Sequence, residues 1–281
     1  CSATVRPVEV VADFLAGGRP VRTVTPVSAK QFELRITVPV ADLAHPPTAI
    51  PTDDPDAPPA PPSVWPHVER SIVDQIEGTS ATLVFTNSRR LSERLTTRLN
   101  ELWADDLAAA AGPSTDLDPP RRPPAEVMAM AGQTSGAPAL LARAHHGSVS
   151  KERRREIEDD LKSGRLRAVV ATSSLELGID MGAVDLVVQV QSPPAVSSGL
   201  QRIGRAGHQV GAVSRAVIYP THRGDLLAAA VTVDAMLAGD LEPVAPPRHP
   251  LDVLAQQVVA MTAMADWHLD ELFALVRRAG P

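Results

Sequence analysis

The chain has 281 residues, 44% of them hydrophobic, and a formal net charge of -6. That length and apolar content support one large domain or two ordinary ones with a real core, and exclude global disorder. The negative balance excludes a small basic nucleic-acid module, so any phosphate contact must come from a local cluster.

In chain order, the opening CSATVRP starts with cysteine rather than methionine and reads as an excision from a longer protein. The stretch Pro46–Pro62, PPTAIPTDDPDAPPAPP, cannot form helix or a central strand and reads as a linker or insertion. ATLVFT at Ala81–Thr86 is an apolar run of strand length. Ser88–Trp103 follows with Leu91, Leu95, Leu99 and Leu102 at helical spacing. Ala111–Pro138, with DPPRRPP inside it, reads as a second insertion. Ser150–Leu161 is a helix with Ser150 as N-cap, Ile157 and Leu161 facing inward, and Gly164 just past its end. RAVVAT at Arg167–Thr172, DLVVQV at Asp185–Val190 and RAVIYP at Arg215–Pro220 are further strands. Near-continuous β-branched runs fit strands buried on both faces of a parallel sheet. After Tyr219 the texture becomes helical, with Asp225–Leu237, Leu251–Met264 and Leu269–Arg278. The short Pro243–Pro250 segment reads as a domain boundary, and Trp267, inside a periodic run, is expected in the core. The fold class is therefore α/β, a parallel sheet flanked by helices, with function at the carboxyl ends of its strands.

Candidate sites end three of the strands. FTNSRR supplies Thr86, Asn87, Ser88, Arg89 and Arg90. ATSSLELGID supplies Thr172, Ser173, Ser174, Glu176, Gly178 and Asp180. SPPAVSSGLQRIGRAGH supplies Gln201, Arg202, Arg205 and His208. Hydroxyls, amides and guanidinium groups at strand ends and helix starts suit phosphate oxygens. Glycines among the arginines allow close approach.

The segments SATVRP, VFTNSRR, AHHGSVSKERRREIEDDLKSG, VVATSSLELGIDMG and LQRIGRAGH stand in the order of motifs III, IV, IVa, V and VI of superfamily 2 helicases. SSLELGIDMGAVDLV followed by SPPAVSSGLQRIGRAGHQVG resembles the large helicase-related (Lhr) family. The resemblance implies a motor that clamps ATP between two RecA-like domains and moves a nucleic-acid strand in the 3′-to-5′ direction. It implies that residues 1–25 are the tail of the first RecA-like domain with a linker, 26–242 the second RecA-like domain, and 243–281 the start of a winged-helix domain. Carried over motif by motif, Ser2 and Thr4 couple hydrolysis to movement. Thr86, Asn87, Arg89, Gly147, Ser148, Thr172 and Ser173 contact the strand. Gly178, Asp180 and His208 lie on the ATP side. Gln201, Arg202 and Arg205 are catalytic, with Arg205 as the arginine finger. His208 departs from the wider superfamily, many of whose members carry a second finger arginine there.

The implied partners are single-stranded DNA or RNA, or a DNA:RNA hybrid, and the first RecA-like domain of the same polypeptide. ATP and Mg²⁺ would be bound mainly by that first domain. None of the three lysines, Lys30, Lys151 and Lys162, follows a glycine, so the chain has no G-x-x-x-x-G-K-[ST], and no acidic pair closes an apolar strand. Alone, the chain is expected neither to bind ATP tightly nor to hydrolyse it. The alternative is a RecA-like binding module that grips nucleic acid or protein without ATPase activity. Cys1 is the sole cysteine, and the eight histidines show no ligand spacing beside acids, so no metal site is expected. No apolar run reaches about 18 residues and no leader is visible, so a cytoplasmic protein without a membrane partner is expected.

Overall fold

The structure, a computed structural model, describes residues 4–17, 19–25, 31–47, 62–111, 140–176, 182–207 and 212–278. The chain divides into two compact units, Lys30–Leu237 and a smaller one formed by Cys1–Ala29 with Ala238–Pro281.

The larger unit is built on one six-stranded sheet in the order β1-β6-β5-β2-β4-β3, every pair parallel. The strands are β1 (Gln31–Ile36), β2 (Thr82–Phe85), β3 (Ala142–His145), β4 (Ala168–Ala171), β5 (Leu186–Val190) and β6 (Val213–Tyr219). Helices α2 (Trp65–Glu77), α3 (Arg89–Ala111), α4 (Lys151–Lys162) and α5 (Val196–Ile203) lie between successive strands, and α6 (Arg223–Ala238) follows β6. Alternation along β2 explains the layering. Val84 faces a core with Val68, Ile72, Ile76, Leu95 and Leu99 of α2 and α3. Leu83 and Phe85 face the opposite core with Ile157 and Leu161 of α4, Ile203 of α5 and Met236 of α6. A β2 buried on both sides reads as the continuous apolar run seen in the sequence.

The four apolar strands expected from the sequence are present as β2, β4, β5 and β6. Edge strands β1 and β3 are not apolar runs. β1 alternates exposed and half-buried residues, and β3 reads ARAH. At the β3 edge Asn100 of α3 replaces a missing strand neighbour. Its Nδ2 donates to Ala142 O at 2.9 Å and its Oδ1 accepts from Ala142 N at 3.0 Å. The expected α4 signals hold: Ser150 Oγ accepts from Arg153 N at 3.3 Å, and Gly164 adopts φ +73° just past the helix.

The smaller unit contains α1 (Val8–Ala16), α7 (Leu251–Met264) and α8 (Leu269–Val276). Within it Val244 N donates to Arg6 O at 2.6 Å, and Arg6 Nη1 donates to Gly239 O at 2.9 Å. Leu272 is the one buried hydrophobic side chain among the described residues of these three helices. Trp267, expected in the core, is 39% exposed. It lies in the non-helical stretch between α7 and α8, so helical periodicity says nothing about its facing.

Candidate functional site

Because every strand runs the same way, the carboxyl ends share one edge of the sheet, where open α/β sheets place ligands. The strand order sets β2, β4 and β3 side by side there, which brings three of the sequence motifs together.

Thr86 is buried after β2, and its Oγ1 donates to Ser88 O at 3.1 Å. Ser88 Oγ accepts from Leu91 N at 3.2 Å and caps α3. Arg89, exposed in the first turn of α3, reaches over the end of β3, and its Nη1 donates to Ser148 Oγ at 2.8 Å. A Cβ on Gly147 would lie 3.4 Å from Arg89 Nη2, so the glycine leaves room for the guanidinium. At the end of β4, Thr172 N donates to His145 O at 3.3 Å. Ser173 is exposed and opens the single 3₁₀ turn Ser173–Leu175. One exposed guanidinium and the hydroxyls of Ser148, Thr172 and Ser173 thus line one edge, a donor set suited to a nucleic-acid backbone.

Beneath this edge His145 is buried and joins two elements. Its Nδ1 lies 2.8 Å from Ser174 Oγ and its Nε2 lies 3.2 Å from Glu158 Oε1 of α4. Burial pushes the imidazole pKa below its ordinary value near 6.5, against the opposing pull of Glu158. His146 turns the other way and pairs with Glu93 of α3.

The second cluster stands on α5 and the turn after it. Gly207 adopts φ +61°, and a Cβ there would lie 2.7 Å from Val213 O. This is the position in the RIGRAG stretch where glycine is required, since Gly204 has an ordinary helical φ of -58°. Gly207 N donates to Val184 O at 3.2 Å, and Ser214 Oγ donates to Ala206 O at 2.7 Å. These bonds pin the turn that carries Arg205 to the approach to β5 and to β6. Arg205 is half-buried, and its Nη2 donates to the main-chain O of Glu176 at 2.7 Å. Burial lowers its pKa below that of a free guanidinium. Gln201, one turn earlier, is also half-buried.

Arg202 is placed quite differently, 3% exposed inside the domain. Its Nε and Nη2 reach Glu176 Oε1 at 2.8 and 2.6 Å. Its Nη1 donates to Asn87 Oδ1 and to Gln189 Oε1, both at 2.9 Å. The guanidinium also sits 5.4 Å from the centroid of the Phe85 ring. Asn87 is therefore engaged from within, and its Nδ2 donates to Ser192 O at 2.8 Å. Of the remaining expected site residues, Thr4 lies in the smaller unit, and Ser2, Gly178, Asp180 and His208 fall outside the described residues. Most of the two insertions, 46–62 and 111–138, also falls outside them.

Glu176 stood among the sequence candidates without a stated role, whereas Gln189, Ser192 and Asp225 were not among them. A glutamine inside the apolar run LVVQV was the available signal, since an uncompensated buried amide is costly. A groove of about 590 Å³ opens at the other end of the strands, lined by Arg35, Arg167 and Arg215 with Glu33, Glu77 and Asp185. Its balanced charge and its place at the strand starts separate it from the chemistry described above.

The conserved C-terminal helicase domain model matches residues 128–209. The winged-helix domain model of large helicase-related proteins matches residues 234–281. Over 282 residues the chain is 55% identical to the Lhr helicase/probable uracil glycosylase of Mycolicibacterium smegmatis, covering 100% of this chain and 18% of that protein. The chain belongs to the large helicase-related (Lhr) family. It is 50% identical over 285 residues to the Lhr helicase/uracil glycosylase of Escherichia coli, again covering 100% of this chain and 18% of the relative. It thus spans under a fifth of the length of these Lhr relatives. The structure of Mycobacterium smegmatis helicase Lhr bound to ssDNA and AMP-PNP matches with a TM-score of 0.79 at 52% identity, over 100% of this chain and 31% of that one. The DNA-bound helicase MrfA shares the fold at 21% identity and a TM-score of 0.60, over 90% of this chain and 29% of its own. In Lhr terms the sheet unit is a RecA-like helicase C-terminal domain, followed by Lhr winged-helix sequence.

Proposed function

We propose that this segment is the second motor domain of an ATP-dependent 3′-to-5′ nucleic-acid translocase, in which the β2–β4–β3 edge holds one strand and Arg205 completes the ATP site. The observation that carries the reading is the convergence of Arg89, Ser148, Thr172 and Ser173 on one sheet edge in a chain of Lhr sequence. The Mycobacterium smegmatis Lhr helicase, which this chain matches with a TM-score of 0.79, was captured with single-stranded DNA and a nucleotide analogue, which supports the same pairing of ligands here.

In this reading ATP is the substrate and is held, with Mg²⁺, mainly by the first RecA-like domain of the polypeptide. This segment contributes charge to hydrolysis. The turn fixed by Gly207 presents Arg205, already partly desolvated, to charge developing on the transferred phosphoryl group. A positioned guanidinium of this kind is worth about 10³–10⁵ in rate. Arg89, Ser148, Thr172 and Ser173 grip backbone phosphates, which positions a strand without reading its sequence.

The test is ATP turnover by the full-length polypeptide that carries this segment, with and without single-stranded DNA. Strand-stimulated phosphate release and unwinding of a 3′-tailed duplex are the expected results. A full-length protein that binds single strands yet shows no strand-stimulated turnover would establish the non-motor module instead.

A further inference from the structure

The Arg202 cluster does not end at Arg202. On one side Asn87 Nδ2 donates to Ser192 O at 2.8 Å, and Ser192 N donates to Asp225 Oδ1 at 2.7 Å. Buried Asp225 also accepts from Thr221 N, through Oδ2, at 2.8 Å. On the other side Glu176 Oε1 accepts from Ser198 Oγ at 2.9 Å, and Glu176 O accepts from Arg205 Nη2 at 2.7 Å. The bonded path therefore runs from the start of α6 through the ends of β5 and β2, across α5, to the turn after β4 and on to Arg205. It meets the β2–β4–β3 edge at Asn87, on the end of β2, and reaches Arg205 through Glu176.

Glu176 is the residue in this path that touches both arginines, by its carboxylate at Arg202 and by its carbonyl at Arg205. It also directly follows the 3₁₀ turn opened by Ser173, so a strand seated on Ser173 acts on the backbone that carries Glu176. A buried ion pair is a poor source of stability, because desolvation offsets most of the Coulomb gain. Its value lies in fixing geometry, and a fully bonded polar network in a low dielectric resists piecemeal rearrangement. We propose that Glu176 is a positioning residue that ties strand engagement at the β2–β4 ends to the aim of Arg205, through the Asn87–Arg202–Glu176 path. The proposal rests on the motor reading above.

The experiment uses the full-length polypeptide and the variants Glu176→Gln, Ser198→Ala, Asn87→Ala and the pair Asn87→Ala/Glu176→Gln. Four quantities are read: strand-stimulated kcat, KM for ATP, Kd for single-stranded DNA, and melting temperature. Glu176→Gln keeps the shape of the side chain but removes the charge that Arg202 needs. It should lower stimulated kcat about tenfold, with Kd for DNA and KM for ATP within about threefold of wild type, the scale of a network coupling. Ser198→Ala removes one bond from the same carboxylate oxygen without stranding a charge. It should cost about two- to threefold in stimulated kcat at an unchanged melting temperature, so the proposal stays testable if Glu176→Gln fails to fold. The paired variant should lose no more than about the worse single variant, because both break one path.

A folded Glu176→Gln protein with stimulated kcat within twofold of wild type would overturn the proposal. So would losses that multiply in the paired variant, or an unaffected Ser198→Ala. Those outcomes leave the motor reading standing. A wild-type protein without strand-stimulated turnover overturns the motor reading, and the proposal with it.

Discussion

Replacing Gly207 with alanine should destabilise the sheet unit through two separable effects. The backbone there has φ +61°, which costs an L-residue about 1–2 kcal/mol. The new Cβ would also stand 2.7 Å from Val213 O and 3.0 Å from Val213 C. Those are backbone atoms of β6 and cannot swing aside as a long side chain would, so overpacking adds about 1–3 kcal/mol. The total is about 2–5 kcal/mol, or roughly 5–15 °C in melting temperature for a unit of this size. Gly164 is the internal control. It has φ +73° and nothing within 4 Å of the added Cβ, so Gly164→Ala should show the conformational part alone, about 1–2 kcal/mol. Thermal melts of both variants against wild type measure the difference. If Gly207→Ala melts no lower than Gly164→Ala, the close approach of the Arg205 turn to β6 is wrong, and so is the account of why glycine stands there.

Arg89→Ala with Thr172→Ala should weaken single-strand binding and flatten its salt dependence. The wild-type slope should reflect about two to four released ions, read by fluorescence anisotropy across a salt series. The 281-residue segment alone should show no phosphate release at saturating single-stranded DNA, because the glycine–lysine loop that holds ATP is not in it. His145 should make stability pH-dependent in a defined direction. Its folded pKa lies below the ordinary 6.5, so between those values the unfolded chain binds the extra proton. The contribution is intact above about pH 6.5 and is lost as pH falls below it. His145→Gln should flatten that part of a melting-temperature profile, and an unchanged profile would remove His145 from the explanation. Ile72→Ala, at a fully buried α2 position, should cost about 2–5 kcal/mol in a denaturant melt.

The legible parts of the fold were those buried on both faces. β2, β4, β5 and β6 announce themselves as apolar runs because helices cover both sides of the sheet. β3 does not, since an edge strand reading ARAH takes its place from Asn100 and from pairing with β4 rather than from its own hydrophobicity. At the site, the residue types and their positions at strand ends were readable, and so was the clustering of Arg202 with Arg205. What separates those two arginines was not. Arg202 is bonded to Asn87, 115 positions away, and to Glu176, 26 positions away. No local pattern records partners at such distances. Trp267 was misjudged because a period of 3.6 carries no information once the backbone leaves the helix.

Arg205 is the residue on which the motor function turns. In the full-length polypeptide, Arg205→Ala should lower strand-stimulated kcat by roughly 10²-fold or more, the scale of a lost charge-stabilising donor. Single-strand affinity should stay close to wild type, and KM for ATP should change far less than kcat. Arg205→Lys should restore little, because an ammonium lacks the planar fork that holds Glu176 O and that suits phosphate oxygens. A folded Arg205→Ala protein with near-normal kcat would contradict the claim that this turn supplies the charge for hydrolysis.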